Sequence, residues 1–365
     1  MTEEQAYIVW LSSIHQIGPK KYRDLMAYYG SAKKVFDHAE VETIQRWSGW
    51  GPKTAALVTG AGSKARLESV IKRLEALDID LYFQGEPGYP TLLEEIYDPP
   101  PVLYARGART PQMEKCIAVI GTRHCTRYGV RTAKNLAGEL AQSGCAIVSG
   151  MARGIDTAAH AGALEAGGFT IAVLGGGPDV VYPAENQKIY ENILQSGCVV
   201  SEYYPGTAPS PGNFPARNRI ISGLSQATIV VESREKGGSM ITVRMAQEQG
   251  REVFAVPGNI DSPASKGTNR LIGEGAMPVT CAEDVLFAMG WQPDRKKQGQ
   301  KDVPLQAMNE MEQTVFSLLE QGELTLDAMC QASSLRASEL SACLTLMEIR
   351  GIIKQLPGRV YALEK

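Results

Sequence analysis

The sequence predicts an α/β architecture, a doubly wound and mainly parallel sheet with a helical region before it and a small helix-and-hairpin region after it. Three observations carry this expectation. Between Lys115 and Gly290, short apolar runs alternate with helix-length intervals, the signature of βαβ units with right-handed crossovers. Residues 1–80 show helical periodicity interrupted by two similar Gly-Pro turns. Beyond residue 305, helical periodicity returns and then gives way to a hairpin pattern.

The first turn is Ile17-Gly18-Pro19-Lys20-Lys21 and the second is Gly49-Trp50-Gly51-Pro52-Lys53-Thr54, each leading into an apolar-periodic stretch. The pair suits a SAM-like or helix-hairpin-helix-like domain over residues 1–80. There, glycine permits the tight turn and the N–H groups of the next helix can hold a phosphate. A bundle whose turns only join helices fits equally well, and Lys20, Lys21 and Lys53 lean toward phosphate contact. Residues 81–112 hold Gly85-Glu86-Pro87-Gly88-Tyr89-Pro90 and Asp98-Pro99-Pro100-Pro101, expected as an extended, semi-rigid connector.

The central domain, 113–290, has its strands at Ile117–Ile120, Ala146–Ser149, Ile171–Leu174, Val199–Glu202, Thr228–Glu232 and Val253–Val256, which makes it Rossmann-like. A polar linker is expected over 291–305, beginning Trp291-Gln292-Pro293-Asp294-Arg295-Lys296-Lys297. Residues 306–365 suit a winged helix, with helices near 310–321, 325–331 and 336–350 and a hairpin through Gly351-Ile352-Ile353-Lys354 and Gly358-Arg359-Val360-Tyr361. In its third helix Arg336 and Arg350 face Glu339 and Glu348, a balance that favours packing or protein contact over DNA reading.

Composition narrows the function. The 365 residues are 44% hydrophobic and 21% charged, ordinary for a globular chain with two or three domains. No apolar run approaches the ~18 residues of a membrane span, and MTEEQAYIVW lacks a signal peptide's order, so a cytoplasmic location without membrane partners is expected. Seven scattered cysteines with no C-x-x-C pair argue against a zinc site or a disulfide framework. A net charge of −3 means that any nucleic-acid site must come from local Arg and Lys.

Those residues sit where an open parallel sheet binds ligands, beyond the carboxyl ends of its strands. The successive loops are Gly121-Thr122-Arg123-His124-Cys125-Thr126-Arg127, Ser149-Gly150-Met151-Ala152-Arg153-Gly154-Ile155-Asp156, Gly175-Gly176-Gly177-Pro178, Asn213-Phe214-Pro215-Ala216-Arg217-Asn218-Arg219 and Arg234-Glu235-Lys236-Gly237-Gly238-Ser239. Glycine backbones, helix N-termini and Arg forks together make an anion site. No G-x-G-x-x-G with a following acid and no G-x-x-x-x-G-K-[ST] occurs, so neither a dinucleotide cofactor nor an NTP-driven motor is expected. Asp156 reads as an N-cap, and with His160 on the same face as a hydrogen-bonded structural pair; no third metal ligand is apparent. Phe214 is either a buried staple or a stacking face for a base, and beside Arg217 and Arg219 stacking suits a single strand.

Ala118-Val119-Ile120-Gly121-Thr122-Arg123, Ser149 to His160, Tyr182-Pro183-Ala184-Glu185-Asn186, Ser201-Glu202-Tyr203, Asn213 to Leu224 and Phe254-Ala255-Val256-Pro257-Gly258 resemble the DNA-processing protein A family, DprA or Smf. The resemblance covers 113–290, and the flanking domains agree with it. It implies a homodimer that binds incoming single-stranded DNA in natural transformation, protects it from nucleases, helps load the RecA recombinase and performs no catalysis. It also implies a DNA pocket containing Gly121, Thr122, Arg123, Ser149, Gly150, Phe214, Arg217, Asn218, Arg219 and Lys236. Gly237 departs from the serine common in the family at that position. The competing readings are a nucleoside-monophosphate phosphoribohydrolase and an interaction scaffold with a vestigial anion rim. The former needs Pro-Gly-Gly-x-Gly-Thr followed by a catalytic Glu, whereas here Gly238 precedes Ser239-Met240-Ile241-Thr242.

Overall fold

Pro19 and Pro52 each occupy the first turn of a helix, where the missing N–H would be unpaired anyway and the fixed φ is already helical. The helices they open belong to a series: α1 (Glu3–Ser12), α2 (Pro19–Tyr29), α3 (Ala32–His38), α4 (Val41–Ser48), α5 (Pro52–Gly60) and α6 (Lys64–Ala76). Trp10, Leu11, Leu25, Val35, Ile44 and Val58 form their core, and the Trp10 indole donates to the Ala61 carbonyl at 2.9 Å. The two Gly-Pro turns lie side by side. Lys21 Nζ donates to Gln16 O in the first turn at 3.0 Å and lies 5.5 Å from the Trp50 ring of the second. Lys20 and Lys53 are exposed.

The structure, a computed structural model, describes residues 1–291, 309–320, 322–333, 335–349, 352–356 and 360–363. The chain forms two units, Met1–Asp294 and Arg295–Lys365. The expected linker beyond Trp291, together with Arg350, Gly351, Gly358 and Arg359, lies outside the described residues.

The first unit continues through β1 (Asp80–Phe83), α7 (Thr91–Glu94), β2 (Val102–Gly107), β3 (Cys116–Ile120), α8 (Arg127–Gln142), β4 (Ala146–Ser149), α9 (Ile155–Glu165) and β5 (Thr170–Val173). It closes with α10 (Gln187–Ser196), β6 (Cys198–Ser201), α11 (Asn213–Gly223), β7 (Ala227–Val230), α12 (Ser239–Glu248), β8 (Glu252–Ala255), α13 (Lys266–Gly273), β9 (Met277–Pro278) and α14 (Ala282–Ala288). The strand order is β1-β2-β6-β5-β4-β3-β7-β8-β9. From β6 to β9 every pairing is parallel, while β1–β2 and β2–β6 are antiparallel. All six apolar runs read from the sequence are strands.

The segment expected as an extended connector supplies two more strands. Its buried Val102, Leu103 and Tyr104 need a covered surface, and β6 would otherwise present an unpaired edge. Pro99, Pro100 and Pro101 end just before β2 begins, so no ladder donor is lost.

Alternation along β3 sends Cys116, Ala118 and Ile120 into one apolar layer and Ile117 and Val119 into the other. Both faces are therefore covered, as parallel sheets require. The chain leaves β3 through α8 toward β4, and later enters β7 on the other side of β3 through α11. This reversal of winding opens a crevice at the carboxyl ends of β3 and β7.

The second unit contains α15 (Glu310–Glu320), β10 (Leu324–Thr325), α16 (Leu326–Ser333), α17 (Ala337–Ile349), β11 (Ile353–Leu356) and β12 (Val360–Leu363). Its antiparallel sheet, ordered β10-β12-β11, accompanies a core of Val315, Leu319, Met329, Leu340, Leu344, Met347 and Ile353. This is a winged helix. Among the described residues, no helix is long and apolar enough to cross a membrane.

Candidate nucleic-acid interface

The loop after β3 is held on both sides. Thr122 N donates to Glu232 O at 2.8 Å, and Thr126 gives its N–H and hydroxyl to the Glu232 carboxylate at 2.8 and 2.6 Å. On the β4 side, Gly154 has φ +82° and packs where a Cβ would strike the carbonyls of Thr122 and Arg123. Only glycine suits that backbone without strain. Gly121, Thr122 and Arg123 are thus fixed at the crevice, with the Arg123 side chain exposed.

Beneath this rim lies a buried polar floor. Ser149 Oγ donates to Val119 O at 2.6 Å and is fully buried. Arg217 is 3% exposed, and its Nη1 donates to Gly150 O at 2.7 Å and to Val173 O. A side chain at Gly150 would collide with that guanidinium. Burial pulls Arg217 down to about 10, against the opposing attraction of Asp156. Asp156 Oδ2 accepts from Gly150 N at 3.2 Å and Ala152 N at 3.4 Å. Burial raises its carboxyl to about 6, although Arg217 and these two N–H groups favour the ionised form. His160 Nδ1 lies 2.7 Å from Thr170 Oγ1, and burial, followed by the Arg217 charge, lowers it to about 3.

Several expectations are corrected here. Asp156 does not pair with His160: the aspartate binds the β4 loop and the histidine binds β5. Nor is Asp156 the N-cap, since Gly154 caps α9 and Asp156 sits in its first turn. Arg219 lies under the rim, 6% exposed, with Nη1 and Nη2 on Glu202 at 3.0 and 2.6 Å and Nε 3.0 Å from Asp98 Oδ2. Arg217, Arg219 and Ser149 present no open surface to a strand because α11 and β4 turn them toward the sheet. Asn218 is half-buried and accepts from Ser222 Oγ at 3.4 Å through its carbonyl.

Phe214, in the first turn of α11, is half-buried rather than a buried staple. The Arg123 guanidinium lies 5.3 Å from its ring centroid, and the Tyr182 ring lies 5.5 Å away, inclined by 30°. Gly175 lets this ring settle, since a Cβ there would come within 2.9 Å of it. Asn213 Nδ2 donates to Gly175 O at 2.9 Å, tying α11 to the β5 loop. Tyr182 escaped the sequence reading as a site residue. Its signal was its place in Tyr182-Pro183-Ala184-Glu185-Asn186, which has no basic neighbour to mark it.

On the β7 side, Arg234 and Lys236 are exposed. Ser239 Oγ donates to Ser233 Oγ at 2.8 Å, and a Cβ on Gly237 would lie 2.8 Å from the same Ser233 oxygen. A serine at 237 would therefore need this pair to move. Among the described residues, no three His, Cys, Asp or Glu side chains gather as metal ligands. Asp156 and Glu232 each already accept two hydrogen bonds while buried. What stands open is a cation beside aromatic rings on a glycine-lined edge, suited to an anionic chain bearing flat bases.

Comparison with known proteins identifies the family. Residues 80–290 match the family described as DNA recombination-mediator protein A, and residues 300–359 match the DprA winged helix domain. Protein Smf of Synechocystis is 31% identical, over 98% of both chains. The X-ray structure of DNA processing protein A from Streptococcus pneumoniae superposes with a TM-score of 0.66 at 36% identity, covering 79% of this chain and 98% of that one. A Helicobacter pylori DNA processing protein A, described for its single-stranded DNA binding mode, superposes at 0.53 and 32% identity over 58% and 95% of the two chains. The chain belongs to the DNA recombination-mediator protein A family, DprA.

Proposed function

We propose that this protein binds single-stranded DNA across the β3 and α11 edge, shields it from nucleases and helps load the RecA recombinase onto it during natural transformation. It acts as a cytoplasmic homodimer without catalysis of its own. The observation that carries the binding reading is the cluster of exposed Arg123, half-buried Phe214 and exposed Tyr182 over a glycine-lined floor. Arg123 makes no ion pair among the described residues, so its charge is free for a phosphate. A duplex hides its bases from such rings, whereas a single strand offers them. The relative from H. pylori, described for single-stranded DNA binding, supports the same reading.

The test is a gel-shift titration of poly-dT against duplex of equal length at several salt concentrations. Poly-dT binds more tightly to the parent protein. Arg123→Ala weakens binding and lowers the salt slope by roughly 0.7, the share of one phosphate in a single strand. Phe214→Ala weakens binding with the slope kept. Equal affinity for both nucleic acids, or none for either, removes the reading.

A further inference from the structure

We infer that Tyr182 is a second base-stacking platform beside Phe214, so that the site seats two neighbouring bases of the strand rather than one. This rests on the single-strand reading above and extends it to a residue outside the family-derived pocket.

The segment that carries Tyr182 is anchored at several points, which leaves its ring in a defined place. Pro183 is buried next to it. Asn186 Nδ2 donates to Met151 O and Thr157 Oγ1, both at 2.9 Å. Glu185 takes a two-pronged contact from Arg153, at 2.6 and 2.8 Å, across to the β4 loop. At the segment's start, Pro178 O accepts from the Tyr190 hydroxyl at 2.6 Å.

Held this way, the Tyr182 ring lies against Phe214 and is still 46% exposed. An exposed tyrosine alone says little, since large rings often stand at protein surfaces. Tyr182 differs in its neighbours. Its ring meets Phe214, which in turn meets Arg123, giving a guanidinium and two aromatic rings with successive separations of 5.3 and 5.5 Å. Arg123 occupies part of the surface that Phe214 could offer a base, whereas the exposed area of Tyr182 is available. Stacking on a ring needs no base-specific hydrogen bond, so the platform is indifferent to sequence.

The measurement is oligo-dT affinity, with a matched strand carrying abasic sites as control, for the parent, Tyr182→Ala, Tyr182→Leu and Tyr182→Trp. We expect Tyr182→Ala and Tyr182→Leu to lose roughly 5- to 150-fold in affinity for oligo-dT, the range for one stacked base. Their salt slope stays at the parent value, their deficit vanishes on the abasic strand, and Tyr182→Trp binds at least as well as the parent. Leucine keeps apolar bulk without a π face, and tryptophan keeps the face, so a collapsed segment is distinguished from a lost stack. A parent that binds oligo-dT while Tyr182→Leu binds equally well overturns the inference alone, as does a loss that persists on the abasic strand. A parent that fails to bind oligo-dT overturns the function on which the inference rests.

Discussion

The floor and the rim of the sheet edge draw on the same short sequence yet differ in what they leave free. Within α11, Phe214 points its ring to the rim, while Arg217 and Arg219 turn into the protein and are 3% and 6% exposed. On the rim, Arg123 is exposed and touches a ring instead of a carboxylate. Counting arginines in the motif therefore overstates the charge available to a ligand. The buried pair builds the platform and the exposed residue works on it.

If this division holds, the largest effect comes from breaking the floor. Arg219→Ala leaves Glu202, whose side chain is 9% exposed, without its cation. Removing one partner of a buried pair typically destabilises by about 3–5 kcal/mol. Urea unfolding should show a free energy of unfolding reduced by that amount and a correspondingly lower midpoint, with the salt slope of DNA binding by the folded fraction unchanged. A stable variant with a reduced slope would instead move Arg219 to the rim.

The same contrast explains what the sequence could disclose. Strands and helices follow from local periodicity, and the Gly-Pro turns follow from φ preferences, so both were legible at Gly18-Pro19 and Gly51-Pro52. The partners of Arg219 were not, since Glu202 lies 17 positions away and Asp98 121. Arg217 and Arg123 look alike as letters, and only the facing of α11 against β4 and β5 separates them. Strands β1 and β2 were obscured by the prolines around them. What topology does make legible is that the loops after β3, β4, β5 and β7 meet at one edge of the sheet.

A moderate effect should come from the charge inside the floor. Asp156 is raised from 3.8 to about 6 by burial, so the stability it contributes is complete below pH 3.8 and is lost as pH rises through 6. His160 is lowered from 6.5 to about 3, so its contribution is complete above pH 6.5 and is lost as pH falls toward 3. The two oppose each other over pH 3.8–6. Asp156→Asn removes the first and keeps an acceptor for Gly150 N and Ala152 N. The variant should be more stable than the parent at neutral pH by on the order of 2–3 kcal/mol, with the gap closing on acidification toward pH 3.8. A variant less stable than the parent at pH 7 would mean that attraction to Arg217 outweighs the burial of Asp156.

The smallest effect tests how far the rim extends. Lys236 is exposed on the β7 loop, across the crevice from the loop that carries Arg123, and the Glu232 bonds that join the two loops hold it on the same edge. Among the described residues no aromatic ring contacts it, and an exposed lysine acts on a phosphate as a screened point charge. Lys236→Ala should leave stability unchanged, lower the salt slope by roughly 0.7 if the strand crosses the β7 loop, and weaken binding at physiological salt by less than about threefold. Arg123→Ala should always cost more, because its guanidinium also stacks on Phe214. If Lys236→Ala proves the more damaging, the centre of binding lies at β7 rather than at β3, and the stack over the floor is the periphery of the site.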